Sequence, residues 1–155
     1  MAFFEFRQNN SGGNFDVDEN LCLSIYIEAE KAEEAKEKAL DLGVYFDGVE
    51  NGVDCECCGD RWYESDTKLE ESNIVFLSRY DENKLDEILK ITGSSMVRKP
   101  GDSIMVGSAS RRLSHFEIGF ETLSQKLKAQ SILDTKWTSP MYRVFYKSGE
   151  VESIG

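Results

Sequence analysis

From Leu21 to Glu28 every second residue is aliphatic: Leu21, Leu23, Ile25 and Ile27 alternate with Cys22, Ser24, Tyr26 and Glu28. A period of two predicts a strand with one face on a core. Within a few residues the period changes to that of a helix. Ala32, Ala35, Ala39 and Leu42 form a narrow apolar stripe among Glu and Lys, and Gly43 supplies the stop. A buried stripe made of alanine lets a helix approach a sheet closely, so this strand and helix predict a helix laid on a sheet. The rest of the chain must fit around that pair.

Phe3–Arg7 reads as a second strand, followed by a polar loop with the pair Gly12-Gly13. Ile74–Leu77 reads as a short strand. A helix is expected over residues 82–92, with Asp81 as N-cap, Leu85, Ile88 and Leu89 buried, and Gly93 at its end. Met96–Arg98 and Ile104–Val106 flank Pro100-Gly101 and predict a hairpin. Ser114 and Glu117 have capping-box spacing, and Phe116, Phe120, Leu123 and Leu127 continue at helical intervals, which predicts a third helix over 115–130. Phe116, Ile118 and Phe120 also alternate, so a strand fits its first turn equally. Tyr142–Tyr146 and Val151–Ile154 around Ser148-Gly149 predict a closing hairpin with a two-residue turn. Hairpin-linked strands mixed with helices define an α+β fold: a mainly antiparallel sheet with two to three helices packed on it. A length of 155 residues suits a single domain, 1–155.

Charge narrows the partners. Residues 1–90 carry 23 acidic and 9 basic side chains and residues 91–155 carry 6 and 9, so net charges of −14 and +3 make up the overall −11. The acidic part repels phosphates, which argues against direct nucleic-acid binding. It leaves an acidic face for a basic partner, or an anion site in the C-terminal part. No run approaches the roughly 18 apolar residues of a membrane span, and the opening MAFFEFRQNN lacks a basic region and long apolar stretch, so no membrane partner and no secretory signal are expected. A cytosolic setting follows, in which thiols stay reduced.

Residues 44–67 show no clear period, and three of the four cysteines fall inside them, in VDCECCGDRWY. Cys55 and Cys58 have the C-x-x-C-Gly spacing of half a zinc knuckle, which makes a structural zinc the one cofactor the residues suggest. No second C-x-x-C or H-x-x-x-H completes it, Cys22 lies on a strand, and Cys57 is awkwardly adjacent to Cys58. A reactive thiolate is opposed by Asp54, Glu56 and Asp60 around it. The plain alternative is a tight turn packed by small thiols beneath Trp62 and Tyr63. Arg61 and Trp62 also suit ligand binding, a planar cation for phosphate or carboxylate beside a flat face for a base.

Gly107-Ser108-Ala109-Ser110-Arg111-Arg112 is the other candidate. Placed before the expected third helix, Ser108, Ser110, Arg111 and Arg112 would gather donors and positive charge near a helix N-terminus, a setting for an anion. The stretch lacks Walker spacing, and no G-x-G-x-x-G, H-E-x-x-H or G-x-S-x-G occurs. The only histidine, His115, belongs to the capping box. No catalytic residues are assigned.

The opening MAFFEFRQNNSGG, then Tyr45-Phe46-Asp47-Gly48, the loop from Asp54 to Trp62 containing CECCGDRW, and the closing Tyr146–Val151 together resemble a family of small tailed-bacteriophage proteins of unassigned activity. The resemblance covers residues 1–64 and the final hairpin. It implies context, a phage accessory protein made in the host bacterial cytoplasm, and it implies no activity. The leading expectation is an anti-defence protein that sequesters a nucleotide-type immune signal, a homo-oligomer using Arg61, Trp62, Ser108, Ser110, Arg111 and Arg112. The alternatives are an acidic inhibitor or DNA mimic that docks on a host enzyme, and an enzyme that degrades such a signal.

Overall fold

The computed structural model describes residues 2–9, 15–69, 75–79, 82–133 and 140–155. The fold is α+β. Contacts gather the chain into two compact units, residues 1–70 with 136–155, and residues 71–135.

The first unit is a five-stranded sheet. Its strands are β1 (Ala2–Gln8), β2 (Ser24–Ala29), β3 (Trp62–Leu69), β9 (Tyr142–Phe145) and β10 (Val151–Ile154), arranged β10-β9-β2-β1-β3. Neighbours pair antiparallel except β2 and β9, which run parallel. Helix α1 (Ala32–Leu42) covers one face, as the alanine stripe predicts. Ala35 and Ala39 are fully buried against Phe4, Phe6, Ile25 and Ile27 in one cluster. Glu33 and Glu34 in its first turn complement the helix dipole. Gly43 ends it in the left-handed conformation (φ 113°). There the Gly43 N–H donates to Leu40 and the Val44 N–H to Ala39, while buried Val44 and Ala39 meet in the core. This is a Schellman stop with its hydrophobic contact.

The expectation of one apolar face on β2 is too simple. Tyr26, on the other face, is 5% exposed, and its hydroxyl donates to Glu5 across the strand pair. Burial and the neighbouring Glu5 carboxylate push the Tyr26 phenol well up. The closing hairpin turns over three residues instead of two: the Tyr146 N–H donates to Glu150, and Gly149 takes the left-handed conformation at φ 96°.

The second unit contains a three-stranded antiparallel sheet, β4 (Val75–Arg79), β8 (Phe116–Phe120) and β5 (Ser95–Arg98), with β8 central. Also in it are a 3-10 turn (Glu82–Lys84), the short helix α2 (Leu85–Leu89), helix α3 (Leu123–Leu133) and a separate hairpin of β6 (Ser103–Val106) and β7 (Ala109–Arg112). Ile88, Ile118, Phe120 and Ala129 form one buried apolar cluster in it.

Several expectations change here. Residues 116–120 are strand, so the third helix begins later. The working capping box is Thr122 with Gln125: the Gln125 N–H donates to Thr122 Oγ1 at 3.3 Å and Gln125 Oε1 accepts from the Thr122 N–H at 3.1 Å. Met96–Arg98 pair with β8, not with Ile104–Val106. Leu89, at the last position of α2, is 37% exposed rather than buried. Asp81, Ile74 and the Gly12-Gly13 pair lie outside the described residues.

Candidate functional site

The loop from Gly43 to Arg61 crosses from α1 to the edge strand β3, and inward-turned carboxylates set its shape. Asp54 Oδ1 accepts from the Tyr45 hydroxyl at 2.8 Å, and its Oδ2 accepts from the Arg61 N–H at 2.9 Å. Asp60 Oδ1 accepts from the Val49 N–H at 2.9 Å. Burial, then the bond to Asp54, raises the Tyr45 phenol. Gly48 leaves room for this arrangement, since a Cβ there would fall 1.8 Å from Asp54 Oδ2. The Asn9 side chain donates to the Cys58 carbonyl at 2.6 Å, and the Asn9 N–H donates to the Arg61 carbonyl at 2.6 Å. The loop is thereby sewn to the end of β1.

Gln8, 1% exposed, carries the next layer. Its Nε2 donates to the carbonyls of Asp16 and Cys22 at 2.7 and 2.8 Å, and its Oε1 accepts from the Asp16 N–H at 2.8 Å. Arg61 Nη1 also donates to that oxygen at 3.3 Å, while Arg61 Nε lies 3.2 Å from Asp16 Oδ2. The guanidinium is therefore engaged within the loop system. Trp62 is 2% exposed and belongs to the core with Phe6 and Ile25. It faces inward because it sits opposite Gln8 on the helix-covered side of the sheet. A ring so placed presents no open face to a base; Tyr63, next along the strand, is 48% exposed.

The thiols are not packed beneath these aromatics. Cys55 and Cys57 are exposed and Cys58 is half-buried; Cys55 and Cys58 line a cavity of about 200 Å³ with Asn9, Val53, Asp54 and Arg61. The backbone N–H groups of Cys58 and Gly59 both donate to the Cys55 carbonyl, at 3.2 and 3.0 Å, and Gly59 closes the turn at φ 82°. Cys57 Sγ lies 3.6 Å from Cys58 Sγ. Hydrogen bonds from the Cys57 thiol and from the backbone N–H groups of Cys57 and Cys58 lower the Cys55 thiol, whereas Cys57, next to the other two sulfurs, is pushed up to about 11. Buried Cys22 is raised to about 11 by desolvation. Among the described residues no group of three or more His, Cys, Asp or Glu is arranged to hold a metal ion.

The other four expected site residues lie in the second unit. Ser108 is in the turn between β6 and β7, and Ser110, Arg111 and Arg112 are on β7, all exposed. The strand β8, not a helix, follows this hairpin in the chain, and His115 sits in the connection with Nε2 3.7 Å from Glu117 Oε1. Strand geometry separates the two arginines. Arg112 is opposite Ser103, on the face that carries the pair Met105 and Ser110; Arg111 is opposite Ile104, on the face of Val106 and Ala109. Met105 is 69% exposed and Val106 50%.

A further cleft, of about 330 Å³, lies between α1 and the closing hairpin. Ile27, Leu42, Phe145 and Val151 line it with Lys38 and Glu150. Lys147, also in the lining, donates from Nζ to Glu34 Oε1 on α1 at 3.1 Å.

A family model described as a domain of unknown function, DUF7296, matches residues 1–121. The chain belongs to the DUF7296 family. No curated protein and no solved structure matches it. The matched part holds both the cysteine loop and the β6–β7 hairpin, so both lie within the DUF7296 domain. Family membership brings no activity, and the chemistry has to come from the residues. Sequence reasoning overlooked Gln8, Asn9 and Asp54 as the groups that shape the loop. Nothing in the spacing of a lone amide or carboxylate shows which backbone groups it will satisfy. No helix among the described residues is long and apolar enough to cross a membrane.

Proposed function

We propose that the protein works by binding: a tailed-phage accessory protein that sequesters a nucleotide-type bacterial immune signal in the host cytoplasm, holding it on the β6–β7 hairpin. The observation that carries this reading is the composition of the hairpin's faces. One exposed face joins Arg112 and Ser110 to Met105, and the other joins Arg111 to Ile104 and Val106. A guanidinium and a hydroxyl suit phosphate oxygens, and a polarizable methionine suits the flat surface of a base. Each face offers one arginine, so a ligand with two phosphates would draw the second from another copy. The proposal therefore includes a homo-oligomer. Arg61 and Trp62 are left out of the binding surface, the one engaged with Asp16 and Gln8, the other buried.

A thermal-shift screen with cyclic dinucleotides and ADP-ribose derivatives tests the reading. Ligand at one hundred times its Kd stabilises by about 2.7 kcal/mol, which raises the Tm of a chain this size by several degrees. At least one compound should do this for the wild type and fail with Arg112→Ala. No stabilisation by any compound would contradict it.

A second reading rests on charge. The first unit carries 20 acidic and 9 basic side chains and the second 9 of each, so the whole net charge of −11 belongs to the first. That unit suits docking on a basic surface of a host enzyme. Capture of one host protein that weakens as salt is raised, with no response to nucleotides, would favour this second reading.

A further inference from the structure

The cysteine loop brings together more than its sequence spacing suggests. Cys55 begins a turn in which the N–H groups of Cys58 and Gly59 both reach back to its carbonyl. Such a turn brings the first and fourth Cα atoms within about 7 Å, the separation a disulfide spans. Two of the three carboxylates expected to oppose a thiolate are turned into the loop, and the third, Glu56, is exposed to solvent. Asp54 is committed to Tyr45 and the Arg61 N–H, and Asp60 to the Val49 N–H. Hydrogen bonding from the Cys57 and Cys58 thiols and from the backbone N–H groups of Cys57 and Cys58 lowers the Cys55 thiol. The sulfurs of Cys57 and Cys58 are 3.6 Å apart, Cys55 is exposed, and a cavity of about 200 Å³ opens beside Cys55 and Cys58.

We propose that this turn is a thiol–disulfide exchange site for low-molecular-weight disulfides, with Cys55 as the attacking thiolate, Cys58 as the resolving thiol and Cys57 as a positioning residue. In the first step the Cys55 sulfur attacks one sulfur of the small disulfide. The Cys55 mixed disulfide forms, the small molecule's own S–S bond breaks, and one thiolate leaves and takes a proton from water. In the second step Cys58 gives its proton to solvent and attacks the Cys55 sulfur, expelling the second thiolate. The protein loses two electrons and two protons, and the small disulfide is reduced to two thiols. Cys57 stays a thiol and donates its hydrogen to the Cys55 thiolate. A bond between neighbouring Cys57 and Cys58 would require a strained eight-membered ring.

Glutathione disulfide and the full-length protein provide the test, read by intact mass and peptide mapping. The wild type should end about 2 Da lighter with Cys55 joined to Cys58, and Cys58→Ser should stop at a mixed disulfide on Cys55, about 305 Da heavier. Cys55→Ser should react at least about tenfold more slowly, while Cys22→Ser, at a buried thiol, should match the wild type. Cys57→Ala should move the pH midpoint of Cys55 alkylation upward, a change that a merely structural role would not cause. A stable adduct on the wild type, first attack at Cys57, an undiminished rate in Cys55→Ser or an unmoved midpoint in Cys57→Ala would overturn the assignment.

Discussion

Gln8 shows how much of this fold depends on single polar side chains. Its amide satisfies two carbonyls and one N–H from separate segments, and it stands between the core and the loop that carries Arg61. Gln8→Leu would keep the volume and orphan those groups, at a cost of about 2–4 kcal/mol. Urea denaturation should show a lower midpoint with an unchanged slope, since the folded surface is the same. A midpoint equal to that of the wild type would refute this role. Arg143, 9% exposed, is a counterpart on β9: its Nη1 donates to the carbonyls of Asp18 and Leu21, at 2.5 and 3.0 Å. Neither residue was legible as structural from the sequence, where Gln8 opens a polar loop and Arg143 is one charged position in the closing strand. Burial of a polar group depends on the backbone atoms waiting for it, and those come from distant segments.

At the scale of elements, local signals were read correctly where the answer is local. The alanine stripe and Gly43 stop of α1 involve residues within a few turns of one another, and the structure has them as expected. The stretch 114–127 failed for an instructive reason. Two capping boxes lie eight residues apart, Ser114 with Glu117 and Thr122 with Gln125, and propensity does not choose between them. The choice is made by β4 and β5, which pair with Phe116–Phe120 from both sides and claim it as strand. Thr122→Ala should therefore cost about 1 kcal/mol, a typical loss for a capping residue. Ser114→Ala, on an exposed turn, should leave the thermal midpoint unchanged. Equal losses from the two would contradict the assignment. The arginine pair has the same lesson. Read before a helix, Arg111 and Arg112 share a site; on a strand they face opposite ways, which is why one hairpin offers a single guanidinium per face.

At the scale of the molecule, charge and exposed chemistry are divided between two units. The excess of carboxylates belongs to the sheet with the cysteine loop. The unit that carries the arginine hairpin is neutral overall, and the hairpin's exposed strands present Met105 and Val106 with Arg111 and Arg112. Exposed methionine and arginine together form a surface suited to an anion with an apolar part, and exposure of this kind calls for a partner. The hairpin is proposed to hold such an anion. Isothermal titration of the nucleotide that stabilises the protein, into wild type and into Arg112→Ala at one salt concentration, measures it most directly. Saturable binding by the wild type is expected, with a loss of about tenfold to hundredfold in affinity for the variant, the worth of one hydrogen bond to a charged group. Equal affinity in the two proteins, with Arg112 and Arg111 both replaced in a final control, would contradict it.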